Sequence, residues 1–233
     1  AKSMERLATG KRINSGQDDA AGLGISSRLG GKIRGLNQAV RNANDGISMA
    51  KAGDAALAEV QNMLERMREL ATQQGDGALS SSDISAISGE LSALQTEISN
   101  IAANAKFNDK SLLDGTLNAT FQVGEATADT YALNPTVSGI TPSDISVSGI
   151  ESAIDAVSTA RASFGKSITV LESRVSNGMA LSENLSAARS QILDADIAQE
   201  TAEMTKASVL QQAGVSILAQ ANQSPQVVLS LLQ

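Results

Sequence analysis

The chain contains no cysteine, no histidine and no tryptophan. Without cysteine there is no disulfide and no thiolate metal site. Without histidine, the Ser-His-Asp and Cys-His nucleophile arrangements and histidine zinc centres are excluded as well. Aromatic residues are scarce, with one tyrosine and three phenylalanines in 233 residues. Globular cores draw much of their bulk from aromatics; here Ala, Ile, Leu and Val must supply it, which suits close helix–helix packing. Proline occurs only at 135, 142 and 225, so two very long stretches lack a helix breaker of that kind. Positive charge is outweighed, with a formal net charge of −7, and this argues against a nucleic-acid partner, which would need a basic face. The basic residues near the start (Lys2, Arg6, Lys11, Arg12, Arg28, Lys32, Arg34, Arg41) have no interleaved aromatics and read as a solvated or intersubunit face. There is no cleavable leader pattern and no apolar run of about 20 residues, so no membrane insertion is expected.

What is present is helical period. Residues 1–16 read as a short helix or turn followed by an extended connector. From about Asp18 the apolar residues Ile25, Leu29, Ile33, Leu36, Val40, Ala43, Ile47 and Ala50 recur in steps of three and four, and Leu57, Val60, Leu64, Met67 and Ala71 continue them. That spacing predicts one helix of more than about 50 residues, roughly 80 Å long. Gly30, Gly31, Gly35, Gly46 and Gly53 each weaken it by about 1 kcal/mol relative to Ala; close approach of a neighbour or local curvature would account for them. Gly75-Asp76-Gly77 breaks the pattern. A second helix follows from about Ser82, with Ser81, Ser82 and Asp83 as N-cap candidates and a stripe of Ile84, Ile87, Leu91, Leu94, Ile98 and Ile101; it should fold back antiparallel on the first. Between Phe107 and Gly149 the texture turns to Ser, Thr, Gly and Asp. FNDKSLLDG is turn-rich, and Thr120–Gly124 alternates like a strand that can pair with Thr130–Leu133. A third helix, starting near Asp144–Ile150, carries Ile150, Ile154, Val157, Phe164, Ile168, Leu171 and Val175, with Arg161 in one seam position. It can run unbroken to about residue 200. The fold class is therefore mainly α: an elongated antiparallel helical bundle or coiled-coil rod with a small β-hairpin region.

The last stretch is unusual. From Ala207 to Gln233 there is no charged residue, yet Gln211, Gln212, Gln220, Gln223, Pro225 and Gln226 keep it from being a spanning helix. Val209, Ala213, Ile217 and Ala221 fall four apart, with Leu210 and Leu218 beside them, making one apolar stripe on a helix. Such a stripe requires a partner.

Catalytic and cofactor motifs are poorly supported. Gly22-Leu23-Gly24 resembles the start of a dinucleotide fingerprint, but Ser27 stands at its last glycine position and no strand precedes it. Gly10-Lys11 lacks the upstream glycine of a phosphate loop. Asp18/Asp19 and Asp194/Asp196 read as solvated or capping carboxylates rather than a metal or acid–base pair. No catalytic residue, cofactor or metal is expected, and the function points to association.

The blocks MERLATGKRINSGQDDAAGLGIS (Met4–Ser26), GLNQAVRNANDGISMAKAGDAALAEVQNMLERMRELATQ (Gly35–Gln73), FNDKSLLDG, FQVG, SAARSQILDADIAQETAEM and KASVLQQAGVSILAQANQSPQVVLSLLQ resemble those of bacterial flagellin, over about four fifths of the chain. The resemblance implies a filament subunit that polymerises for motility, lies outside the cell, and is exported by the flagellar secretion apparatus. It implies residues 1–16 as a connector, 17–106 and 150–204 as a core rod, 107–149 as a β-hairpin or variable region in place of larger outer domains, and 205–233 as a filament-core helix. It also implies a further helix of some twenty residues before the MERL block, so the expectation is a shortened chain whose tail lacks its natural partner. Implied partners are other flagellin subunits, an export chaperone, a filament cap protein and a flagellin-sensing Toll-like receptor. The receptor contact maps to Leu64, Arg66, Arg68, Leu70 and Glu90; on the alternative reading Leu64 and Leu70 are core or filament contacts and Arg66 is a solvated face. Glu65 and Ala93 stand where the family often has glutamine. A hook–filament junction protein and a cell-surface binding module using Gly115–Gly149 remain as alternatives.

Overall fold

In a computed structural model, residues 2–230 are described, with side chains described as far as Ala221. The chain is mainly helical. In order it forms α1 (Lys2–Thr9), α2 (Ala20–Gln74), α3 (Ser81–Asn104), β1 (Lys106–Phe107), β2 (Lys110–Ser111), β3 (Ala119–Gln122), β4 (Thr130–Leu133), α4 (Val147–Leu193) and α5 (Ile197–Ser230). It divides into two compact units: residues 1–33 with 183–233, here called unit 1, and residues 34–182, called unit 2.

Polar side chains set the helix starts. Asp19 opens α2, its Oδ1 accepting from Gly22 N at 2.8 Å. The start of α3 lies one residue ahead of the candidates Ser81, Ser82 and Asp83. Ser80 is the N-cap and accepts from Asp83 N, while the Asp83 carboxylate reaches back to Ser80 N, a reciprocal capping box. The helix expected to run unbroken to about residue 200 instead ends at Leu193. Asp196 then starts α5 by accepting from Ala198 N and Gln199 N at 2.9 and 3.2 Å. A short aspartate offered two free backbone N–H groups competes well with helix continuation.

Unit 2 holds the main core. Leu57, Val60, Leu64, Met67, Leu91, Ile98, Ile150, Val157 and Phe164 are fully buried together. Contacts between α2 and α4 descend on one helix as they rise on the other: Asn37 with Ser182, Asp54 with Arg161, and Gln61 again with Arg161. The pair is antiparallel, as expected. Arg161 takes its seam position by pairing with Asp54 at 2.9 Å and Gln61 at 2.8 Å while its stem packs. Gly53 and Gly46 are explained by neighbouring side chains rather than by curvature. A Cβ at Gly53 would stand 2.5 Å from Phe164 Cζ, and one at Gly46 would stand 3.0 Å from Leu171 Cδ1. Gly31 has nothing within 4 Å of that position.

The β-hairpin expected between Thr120 and Leu133 forms, with Phe121 opposite Tyr131. Both rings pack beside Ala43, Ile47, Val123 and Leu171. A second, shorter hairpin lies within the turn-rich FNDKSLLDG. Phe107 pairs with Lys110 across Asn108 and Asp109, whose φ values are 47° and 63°. Positive φ at both loop residues makes the two-residue turn whose twist suits a hairpin.

In unit 1, α1 packs on α5. The connector after α1 lies across the α4–α5 junction. Arg12 N donates to Leu193 O at 2.7 Å, Ala195 N to Gly10 O at 3.0 Å, and Arg12 Nη2 to Ile192 O at 2.8 Å. The two Arg12 bonds satisfy carbonyls that the end of α4 would otherwise leave unpaired. Ile13 is buried, and a Cβ at Gly22 would stand 2.7 Å from its Cδ1. That close packing accounts for the glycine that imitates a dinucleotide motif.

Candidate assembly surface

α5 continues through the uncharged tail to Ser230. Residues 231–233 lie outside the described residues, as do the side chains from 222 onward, including Pro225. Along the described part, the whole proposed stripe faces solvent. Val209, Leu210, Ile217 and Leu218 are between 57% and 67% exposed, and Ala213 and Ala221 are exposed beside them. Val215 is 63% exposed and stands half a turn away from Ile217. The stripe expectation missed it, because a pattern chosen for one face discards an apolar residue on the other. From Ala207 to Ala221 α5 therefore carries exposed apolar residues on both sides and no charge. Burying each Leu or Ile here is worth about 1.5–3 kcal/mol. The chemistry available to this surface is association.

The acidic pairs turn out to be structural. Asp18 accepts from Ser15 N, Asn14 N and Lys2 Nζ at 3.1–3.2 Å. The Ser15 backbone N–H foremost, then Lys2 and Asn14, hold its carboxyl down to about 2. Asp19 and Asp196 cap helices, and Asp194 accepts from Ser190 Oγ. Among the described residues no group of three or more acidic side chains is placed to hold a metal ion, and no helix is long and apolar enough to cross a membrane.

The residues mapped to a receptor contact separate by depth. Leu64 and Leu70 point into the unit 2 core, at 0% and 2% exposure. Arg66, Arg68 and Glu90 are on the surface. Arg66 bridges Glu69 on its own helix and Glu90 on α3, each at 3.2 Å. Those bonds, Glu69 first and Glu90 next, raise the guanidinium pKa further. Arg66 thus faces Glu90 from α2 across to α3, while Leu64 and Leu70 are buried in the core.

Long antiparallel helices, a minor β region and an uncharged apolar segment of α5 left facing solvent define a helical protein that works by associating. The relatives make this specific. A sequence-family model described as "Bacterial flagellin N-terminal helical region" matches residues 1–118, and one described as "Bacterial flagellin C-terminal helical region" matches residues 147–232. A flagellin of Halalkalibacterium halodurans is 39% identical, over 100% of this chain and 91% of its own length. A flagellin of Bacillus subtilis is 37% identical, over 100% of this chain and 92% of its own. The flagellar filament 33 kDa core protein of Treponema phagedenis is 35% identical, over 100% and 92%. The chain belongs to the bacterial flagellin family.

Proposed function

We propose that this chain is a structural subunit of the bacterial flagellar filament and polymerises through its terminal helices and helical core to serve motility. One observation carries the proposal: a flagellin-family chain leaves the face Val209, Leu210, Ala213, Ile217, Leu218 and Ala221 uncharged, apolar and solvent-exposed. A surface of that kind is stable only when covered. In the filament α5 is a buried helix, packed against other copies of the chain. As a filament component the protein is extracellular, exported by the flagellar secretion apparatus. Before assembly an export chaperone covers the tail, and a filament cap protein directs its insertion. A flagellin-sensing Toll-like receptor engages the exposed part of the mapped surface, Arg66, Arg68 and Glu90, while Leu64 and Leu70 hold the helix that presents them.

The test is polymerisation of purified chain, followed by sedimentation and by electron microscopy of negatively stained samples. Filaments of uniform diameter are the expected product. A chain that stays monomeric from low to high concentration, alone and on seeds of flagellin filament, would overturn the reading. Neither alternative, the junction protein or the surface binding module, is favoured by any residue described above.

A further inference from the structure

Two cations of unit 1 have no counter-charge in the chain, and one cavity brings them together. It measures about 190 Å³, and its polar walls are Lys11 and Asn14 of the connector, Ser26 and Ser27 of α2, and Arg189 of α4. No carboxylate lines it. Neither Lys11 Nζ nor any nitrogen of the Arg189 guanidinium has a hydrogen-bond or ion-pair partner among the described residues. Acids of the same unit are committed elsewhere. Asp18 accepts from Ser15, Asn14 and Lys2, and Asp19 from Gly22. A second hollow of about 230 Å³ shares Lys11 and Arg189 with the first; Asp194 stands in its wall, its carboxylate taken by Ser190.

The nitrogens of Arg189 differ in access. Nε is sealed, with neither partner nor solvent. The two terminal nitrogens are also unpartnered but are not sealed, so a solute can reach them. A half-buried guanidinium that has given up part of its hydration gains more from an anion than a fully solvated one does. Lys11 is exposed, and its flexible stem can bring the ammonium to the same mouth. Ser27 Oγ is exposed and uncommitted among the described residues, and Asn14 Nδ2 makes only a long bond of 3.4 Å to Lys11 O. Ser26 is spent, its Oγ donating to Leu23 O. We propose that this cavity binds a small tetrahedral oxyanion of the phosphate or sulfate class. Such an ion presents acceptor oxygens in several directions, which suits donors arriving from the connector, α2 and α4; a carboxylate presents two in one plane. The volume is below the roughly 300–1,000 Å³ of pockets that enclose drug-sized ligands, so the ion enters alone rather than as part of a nucleotide. Once bound, it ties the connector to both helices beside the bonds from Arg12 to the end of α4.

The test is titration of inorganic phosphate into the full chain, kept dilute enough to remain unpolymerised, with ionic strength held constant by sodium chloride. NMR should show saturable shifts of the Lys11, Asn14, Ser27 and Arg189 amides, and sulfate should move the same set. Arg189→Gln should weaken binding about 10-fold or more, the loss expected when a hydrogen bond to a charged group is removed. Lys11→Gln should weaken it several-fold. The bonds Lys11 makes within the fold come from its backbone N and O, so this variant folds as the unaltered chain does and decides the matter even if Arg189→Gln does not fold. Shifts that rise without saturating, equal shifts from chloride alone, or unchanged affinity in Lys11→Gln would overturn the site. Acetate binding as tightly as phosphate would overturn the choice of a tetrahedral ion.

Discussion

At the scale of single residues, two glycines of α2 give opposite expectations for the same substitution. Gly53→Ala places a methyl group 2.5 Å from the fully buried ring of Phe164. Overpacking of that kind costs about 1–3 kcal/mol and exceeds the gain of about 1 kcal/mol in helix propensity. Gly31→Ala meets no neighbour and keeps the gain. Thermal unfolding should therefore show Gly53→Ala melting below the unaltered chain and Gly31→Ala above it. Asp18 gives a pH expectation. Its carboxyl is held down to about 2 from an ordinary value of 3.8. A depressed carboxylate pKa stabilises the folded form above the ordinary value, and that contribution is lost as pH falls from about 4 through about 2. An NMR titration of the Asp18 carboxyl should find a midpoint near 2, whereas a midpoint near 4 would mean that Ser15, Lys2 and Asn14 do not hold it. Glycine positions were visible in the sequence, but their partners were not. Gly53 and Gly31 look alike until Phe164, more than a hundred residues away, is brought to one of them.

At the scale of elements, the capping box of α3 has a defined worth. Ser80→Ala removes the cap for Asp83 N and the hydroxyl donor to the Asp83 carboxylate, leaving only the Ser80 backbone N–H on that carboxylate. The cost should be about 1 kcal/mol, read as a lower melting temperature and faster amide exchange in residues 81–84. Ser82→Ala, at another position of suitable cap chemistry, should leave exchange there unchanged. The long helices were legible because their apolar residues recur at three and four for many turns. Helix ends were less so: a run of Ser80, Ser81, Ser82 and Asp83 offers several caps of equal chemistry, and only backbone geometry selects one. The end of α4 was hidden for a related reason. Helical period continues through Ile192 and Ala195, but Asp196 captures the N–H groups of Ala198 and Gln199. The Asn108-Asp109 hairpin lacks the glycine that usually announces such a turn, so nothing in the local sequence marks its strands.

At the scale of the molecule, assembly should be separable from folding. Ile217 is 67% exposed, so Ile217→Asp should leave helix content and melting of the monomer unchanged. In a filament the same carboxylate would be buried without a partner, at a cost on the order of several kcal/mol per copy. Sedimentation should find the variant in the supernatant at concentrations where the unaltered chain pellets. Normal filaments would show that the stripe is not the contact. The seam was legible because a long stretch without charge, from Ala207 onward, stands out in any sequence. The Arg189 cavity was not, since it is built by residues from both ends of the chain and no local pattern marks it.

The bonds from Gly10 and Arg12 to Ile192, Leu193 and Ala195 have a consequence for biosynthesis. Their partners are about 180 residues apart in the chain, so a ribosome makes nearly everything else before the second half of each bond exists. Residues 34–182 all precede the closing segment in the chain, and domains fold as units while translation proceeds. The opening segment must wait, its amides and carbonyls hydrated, until the closing segment arrives. A message cut short before Ile192 would then yield a well-formed unit 2 carrying a loose leading strand, and limited proteolysis should trim that strand while sparing the rest.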